Sequence, residues 1–181
     1  MEKLNRLSRE LVYNGAVIDL YKDQVQDENG LIKNYDSIIH KGAAAVIPVM
    51  DNGKILMVKQ YRNILDRFTI EIPAGGKNTV EEPSKDCAAR ELEEETGYMS
   101  DNLELLLSIK TTVAFCNEGI DIYLAKDLKP SKQNLDEGEF IDVYEYDIKE
   151  LVDMVYQCKI QDSKTVCAIL AYYNKCVLTK N

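Results

Sequence analysis

The sequence predicts an α/β fold, a mixed sheet covered by helices and preceded by an antiparallel β arm. Three observations carry this. From residue 43 onward, apolar segments of strand length alternate with segments of helical periodicity. Asp51-Asn52-Gly53 separates two apolar runs, Ala43 to Met50 and Ile55 to Val58, as a hairpin turn does, because Asn and Gly tolerate positive φ. Ile72-Pro73-Ala74-Gly75-Gly76 then ends a strand with a proline and two glycines that allow close backbone approach.

Each element follows from local chemistry. Val17 to Tyr21 and Lys33 to His40 read as strands about a polar Asp27-Glu28-Asn29-Gly30 turn, which gives an arm over residues 1–42. Residues 43–181 form the main domain, with no internal linker. Pro83 suits a first helical turn, Ser84 to Thr96 is rich in Ala, Leu and Glu, and Gly97 suits the left-handed residue just past a helix. Leu103 to Ile109, Ile120 to Ala125 and Phe140 to Tyr146 read as strands. Two closing helices follow from the spacing of Ile148, Leu151, Val152 and Val155, and of Val166, Ile169, Leu170 and Tyr173.

A chain of 181 residues bounds the protein to one domain with a small appendage. Its net charge of −9 argues against a nucleic-acid partner, since such binders need clustered Lys and Arg to displace counterions. A small anionic ligand stays open, provided a bound cation or a few placed Lys and Arg supply local positive charge. The five cysteines have no zinc-type spacing and read as reduced. Met1 to Arg6 lacks the apolar core of a signal peptide, and the longest uncharged apolar run, Gly42 to Met50, is too short to span a bilayer. A cytoplasmic protein with no membrane partner is expected.

At about 100° per residue, Ala88, Ala89, Leu92 and Thr96 share one side of the Glu-rich helix, expected to pack on the sheet, while Glu91, Glu94 and Glu95 gather on another. Like charges at this spacing cost a few tenths of a kcal/mol per pair unless a cation offsets them. Magnesium suits such oxygen ligands. Taken alone, the cluster reads more readily as a solvated acidic face, the commoner explanation of Glu-rich helices.

Register narrows this. Gly76, Glu82 and Arg90-Glu91-Leu92-Glu93-Glu94-Glu95-Thr96-Gly97-Tyr98 stand in the spacing G-x5-E-x7-R-E-U-x-E-E-x-G-U, and the stretch resembles the Nudix box, with Tyr98 where an aliphatic residue is usual. The resemblance implies an α/β/α sandwich in which Glu91, Glu94 and Glu95, with the main-chain carbonyl near Ala74, hold Mg2+ or a substituting Mn2+. Arg90 joins the catalytic set as the residue orienting a carboxylate, with Gly76 and Glu82 in support.

Gln60-Tyr61-Arg62, Glu71-Ile72-Pro73-Ala74-Gly75 and Ile160 to Thr165 are similar to stretches of ADP-ribose pyrophosphatases. That branch implies a homodimer joined through the N-terminal arm, with Arg62 and Glu71 facing the nucleotide end of a nucleoside diphosphate substrate. On the residues alone, Arg62 reads equally as a surface residue and Glu71 as a salt-bridge partner. The resemblance also implies a general base in Asp136-Glu137-Gly138-Glu139, with Glu137 first and Glu139 second. The expected reaction is attack of a metal-activated water on the phosphoanhydride, turning ADP-ribose into AMP and ribose 5-phosphate. Val113 stands where ADP-ribose hydrolases of this family commonly carry proline, so GDP-mannose is an alternative substrate, and a nucleotide-binding module without turnover is a second class.

Overall fold

A computed structural model describes residues 3–180, and these divide into two compact units. The first is the arm up to Gly42 together with Lys110–Gly119. Its sheet has the order β1 (Asn5–Asn14), β2 (Asp19–Gln26), β3 (Ile32–Ile39), antiparallel throughout. The β2–β3 turn forms as expected: Asp27 Oδ1 accepts from the N–H groups of Asn29 and Leu31, and Gly30 takes φ 84°. The expected start of β2 at Val17 does not hold. Val17 and Ile18 are exposed and lie in the turn that Gly15 closes by donating to Ile18 O, so their apolar character does not signal a buried strand face.

The arm is held by charge more than by apolar packing. Asp23 is 3% exposed, and the guanidinium of Arg9 forks onto both its oxygens at 2.6 Å while Ser37 donates at 2.8 Å. Arg9 thereby holds the Asp23 carboxyl well below the usual carboxylate range. Lys110–Gly119 adds its own ties within this unit: Ile38 N–H donates to Phe115 O, and the Asn117 amide oxygen accepts from His40 N–H.

In the second unit, β4 (Ala43–Pro48) is buried along its whole length, which explains its continuous apolar run. Because side chains alternate across a strand, Ala43, Ala45 and Ile47 join one core cluster while Ala44 and Val46 join the other. The unit continues with β5 (Ile55–Arg62), β6 (Arg67–Glu71), β7 (Ala74–Gly76), α1 (Ser84–Thr96), β8 (Tyr98–Met99), β9 (Asn102–Lys110), β10 (Gly119–Lys126), β11 (Lys129–Pro130), β12 (Ile141–Tyr146), α2 (Ile148–Tyr156) and α3 (Ser163–Tyr172). One sheet has the order β7-β4-β10-β9, with β4 parallel to β10 and antiparallel to β7. Another is the antiparallel β12-β5-β6.

α1 covers one face of the mixed sheet through Cys87, Ala88 and Leu92, and α2 and α3 cover the other through Leu151, Ala168 and Ile169. This is the α/β/α layering expected from the sequence. Cys87 belongs fully to the packed side of α1, whereas Ala89 is only half-buried, and Glu91 and Glu95 are buried as well. Gly97 takes φ 72° and caps α1 by donating to Glu93 O. None of the helices among the described residues is long and apolar enough to cross a membrane.

Candidate active site

The three residues of β7, a strand antiparallel to β4, and one face of α1 build the site. Ala74 N–H donates to Glu95 Oε2 at 3.1 Å, fixing that carboxylate at the strand end. Gly75 lies against Glu91: a Cβ there would stand 2.1 Å from Glu91 Oε1 and 2.2 Å from its carboxyl carbon. The close approach that the two glycines imply is therefore to a carboxylate of the helix, and Gly75 is the residue that demands it. A Cβ on Gly76 would meet nothing within 4 Å.

Glu91, Glu94 and Glu95 line a cleft of about 180 Å3 with Ala74, Gly75, Gly76, Arg90, Asp136 and Glu139. Burial pushes the Glu91 carboxyl above its ordinary range despite Arg90. Burial, then the neighbouring charge of Glu91, pushes Glu95 up to about 8. Of the two loop candidates, Glu139 lines the cleft and its charge acts on both Glu91 and Glu95, whereas Glu137 is exposed and is not part of the lining.

Arg90 does not fork onto one carboxylate. Its Nη1 donates to Glu91 Oε1 at 2.6 Å and to Glu94 Oε2 at 2.9 Å, and Nη2 donates to Gly76 O at 3.1 Å. Nε is buried without a hydrogen bond, 3.5 Å from Glu82 Oε1. Glu82 does fold back toward the helix, and it accepts from Asn78 N–H. With Arg90 between them, no three acidic, Cys or His side chains among the described residues are gathered into a ready metal cage.

Arg62 and Glu71 sit in a different cavity of about 460 Å3, which Arg67, Lys159, Asp162 and Lys164 also line. Here the fork forms: Arg62 Nε and Nη2 donate to the two oxygens of Glu71 at 2.8 and 2.7 Å. Lys164 adds 2.6 Å and Thr69 2.6 Å. Burial alone would raise Glu71, but Arg62 and Lys164 together bring it down to about 2. The Asp162-to-Thr165 stretch explains itself: Asp162 caps α3 by accepting from Thr165 N–H, Lys164 reaches Glu71, and the buried Thr165 hydroxyl accepts from Ile72 N–H.

A model of the NUDIX domain matches residues 39–166. The chain belongs to the Nudix hydrolase family. This Nudix chain is 40% identical over 165 residues to an ADP-ribose pyrophosphatase of Bacillus subtilis, a match covering 90% of this chain and 89% of that one. A methanol dehydrogenase activator of Bacillus methanolicus matches it at the same identity and coverage. A crystal structure of an ADP compounds hydrolase superposes with a TM-score of 0.84 over 95% of this chain and 93% of that one, at 19% identity, which is a likeness of fold.

Nudix hydrolases use divalent metal cations, and the donor set of this Nudix cleft fits one. It offers hard carboxylate oxygens, two of them on buried glutamates whose ionisation Arg90, one N–H and the charge of Lys164 support without offsetting burial. Gly75 keeps the space that Glu91 occupies. Sequence reasoning did not assign Asn78 and Asn134 to the cleft or Lys164 to the Glu71 cluster, and it named Asp136 only as part of the acidic loop. The only signal for Lys164 was its place in the Ile160-to-Thr165 stretch.

Proposed function

We propose that this chain is a Mg2+-dependent pyrophosphatase that cleaves ADP-ribose to AMP and ribose 5-phosphate. The observation that carries this is the cleft where Glu91, Glu94, Glu95 and Glu139 meet the Ala74–Gly76 strand, with two buried glutamates left short of positive charge. Relatives named for ADP-ribose hydrolysis support the substrate. A bound Mg2+, with Mn2+ as substitute, would supply an acidified water and neutralise charge on the bridging phosphates. Glu91, Glu94 and Glu95, with a main-chain oxygen near Ala74, would hold it, and Ala74 N–H keeps Glu95 in place.

Arg90 spaces Glu91 and Glu94 through one shared nitrogen and rests on Gly76 O, with Glu82 beside it. Glu139 takes the proton of the attacking water, since it faces the cleft and Glu137 does not. Arg62, half-exposed while gripping Glu71, orients the nucleotide end of the substrate. The five free thiols support a reducing, cytoplasmic setting. A homodimer is supported by edge strand β1, whose ten residues are all exposed, Leu7, Leu11, Val12 and Tyr13 among them.

The test is incubation with Mg2+ and ADP-ribose, NADH, GDP-mannose or a dinucleoside polyphosphate, with products resolved. AMP and ribose 5-phosphate from ADP-ribose, formed faster than products from the other compounds, are expected. Preferential cleavage of GDP-mannose would reassign the substrate, and tight binding with no cleavage of any compound would make the protein a nucleotide-binding module. Sedimentation of the intact chain checks the dimer.

A further inference from the structure

Between β11 and the acidic loop runs a short polar segment, residues 131–134, whose hydrogen bonds converge on one place. A helix ends with main-chain carbonyls that lack partners within it. At the end of α1, Ser131 N–H donates to Gly97 O at 2.7 Å, Asn134 N–H donates to Glu94 O at 2.9 Å, and Gln133 Nε2 donates to Glu95 O at 2.7 Å. The segment thus caps the helix that carries the carboxylates. It also explains Gly97 beyond its φ: a Cβ there would stand 3.0 Å from Gln133 N and 3.6 Å from Gln133 Cβ, so a glycine lets the strap lie close.

Gln133 does more than cap. A carboxamide nitrogen carries two hydrogens, and Nε2 of Gln133 also stands 3.4 Å from Ile141 O, at the start of β12. One side chain therefore ties the end of α1 to the strand beyond the acidic loop, and residues 134–140 lie between the two ties. Within that loop, Glu139 N–H donates to Asp136 O at 3.0 Å and Asp136 N–H donates to Glu139 Oε2 at 3.3 Å. Those bonds shape the loop internally, while the carboxamide anchors it to the helix.

We propose that Gln133 is a positioning residue for the reaction: by pinning both ends of the acidic loop it sets where the Glu139 carboxylate stands relative to Glu91 and Glu95. This rests on the reading of Glu139 as the base. A misplacement of about 1 Å in a catalytic group costs on the order of a hundredfold in rate, so the effect belongs in kcat.

The experiment is a double-mutant cycle in steady-state kinetics with Mg2+ and ADP-ribose, using Gln133→Ala, Glu139→Gln and the double variant. Gln133→Met serves as a second single variant that keeps the stem's length and removes the donors. Both Gln133 variants are expected to lose roughly 10–100-fold in kcat, as supporting hydrogen bonds do, with KM and the Mg2+ activation constant within about twofold of wild type. The double variant should be no slower than Glu139→Gln, because Gln133 acts through that carboxylate. Unchanged kcat in both Gln133 variants overturns the inference while a loss in Glu139→Gln leaves the functional reading standing. Multiplying losses in the double variant also overturn it, since Gln133 would then act elsewhere. Wild-type turnover in Glu139→Gln removes the base assignment and the inference together.

Discussion

Glu71 and Glu95 lie in the same unit and are buried to nearly the same degree, 4% and 6% exposed, yet their surroundings drive them in opposite directions. Burial disfavours the charge of both. Around Glu71, the Arg62 fork, Lys164 and Thr69 outweigh that cost and bring the carboxyl down to about 2. Around Glu95 stand one main-chain N–H and the like charges of Glu91 and Glu139, the charge of Lys164 does not outweigh them and burial, and the carboxyl rises to about 8. The contrast separates a carboxylate that the protein itself satisfies from one whose charge awaits something external. Glu71 thus serves to hold Arg62 in place, while Glu95 presents its carboxylate to the cleft.

Glu94→Gln breaks the acidic side most severely, removing charge with little change of shape. Turnover is expected to fall on the order of a thousandfold, the several kcal/mol that metal-assisted charge stabilisation supplies, with the thermal midpoint nearly unchanged. Wild-type rates in that variant would remove Glu94 from the site.

Glu71→Ala breaks the other side and should act on stability, costing about 3 kcal/mol in denaturant unfolding because it removes the carboxylate that Arg62 forks onto and leaves the partly buried Lys164 with Asp162 alone. pH sharpens the same point. The folded-state value of Glu71 lies below its ordinary one, so its stabilisation is present above the usual carboxylate range and is lost as pH falls from about 4.5 toward about 2. Unfolding measured across that window should steepen in the wild type and flatten in Glu71→Gln; equal slopes would show that the fork contributes nothing.

The smallest effect comes from Gly75→Ala. The atoms nearest to the new Cβ are the far end of the flexible Glu91 side chain, so the fold is expected to survive while the carboxylate is displaced. Mg2+ affinity by calorimetry is expected to drop roughly tenfold, in the range seen when a ligand's support is disturbed. Unaltered affinity would mean that Glu91 does not need its place beside Gly75.

Much of this contrast was legible in the sequence, and the parts that were not share a cause. α1 and its carboxylates were readable because helical register fixes which side chains converge, and β4 because burial on both faces leaves an unbroken apolar run. β1 left no such trace, since all ten of its residues are exposed and no face needs to be apolar. Val17-Ile18 misled for the converse reason, as apolar residues exposed in a turn. The Gly75 approach was foreseeable but not its target, because Glu91 lies sixteen residues on. Lys164 and Gln133 act through long-range contacts to Glu71 and to the end of α1, and neither composition nor periodicity encodes such pairs.

Arg90 carries one further consequence. Its Nη1 already rests on oxygens of Glu91 and Glu94 that the proposed cation would claim. Loading is then an exchange of one positive charge for another, and the affinity measured for Mg2+ is a difference between two holds on the same carboxylates. The guanidinium also keeps the empty-handed protein from paying the full repulsion of its glutamates. A chelator should therefore silence this enzyme without unfolding it.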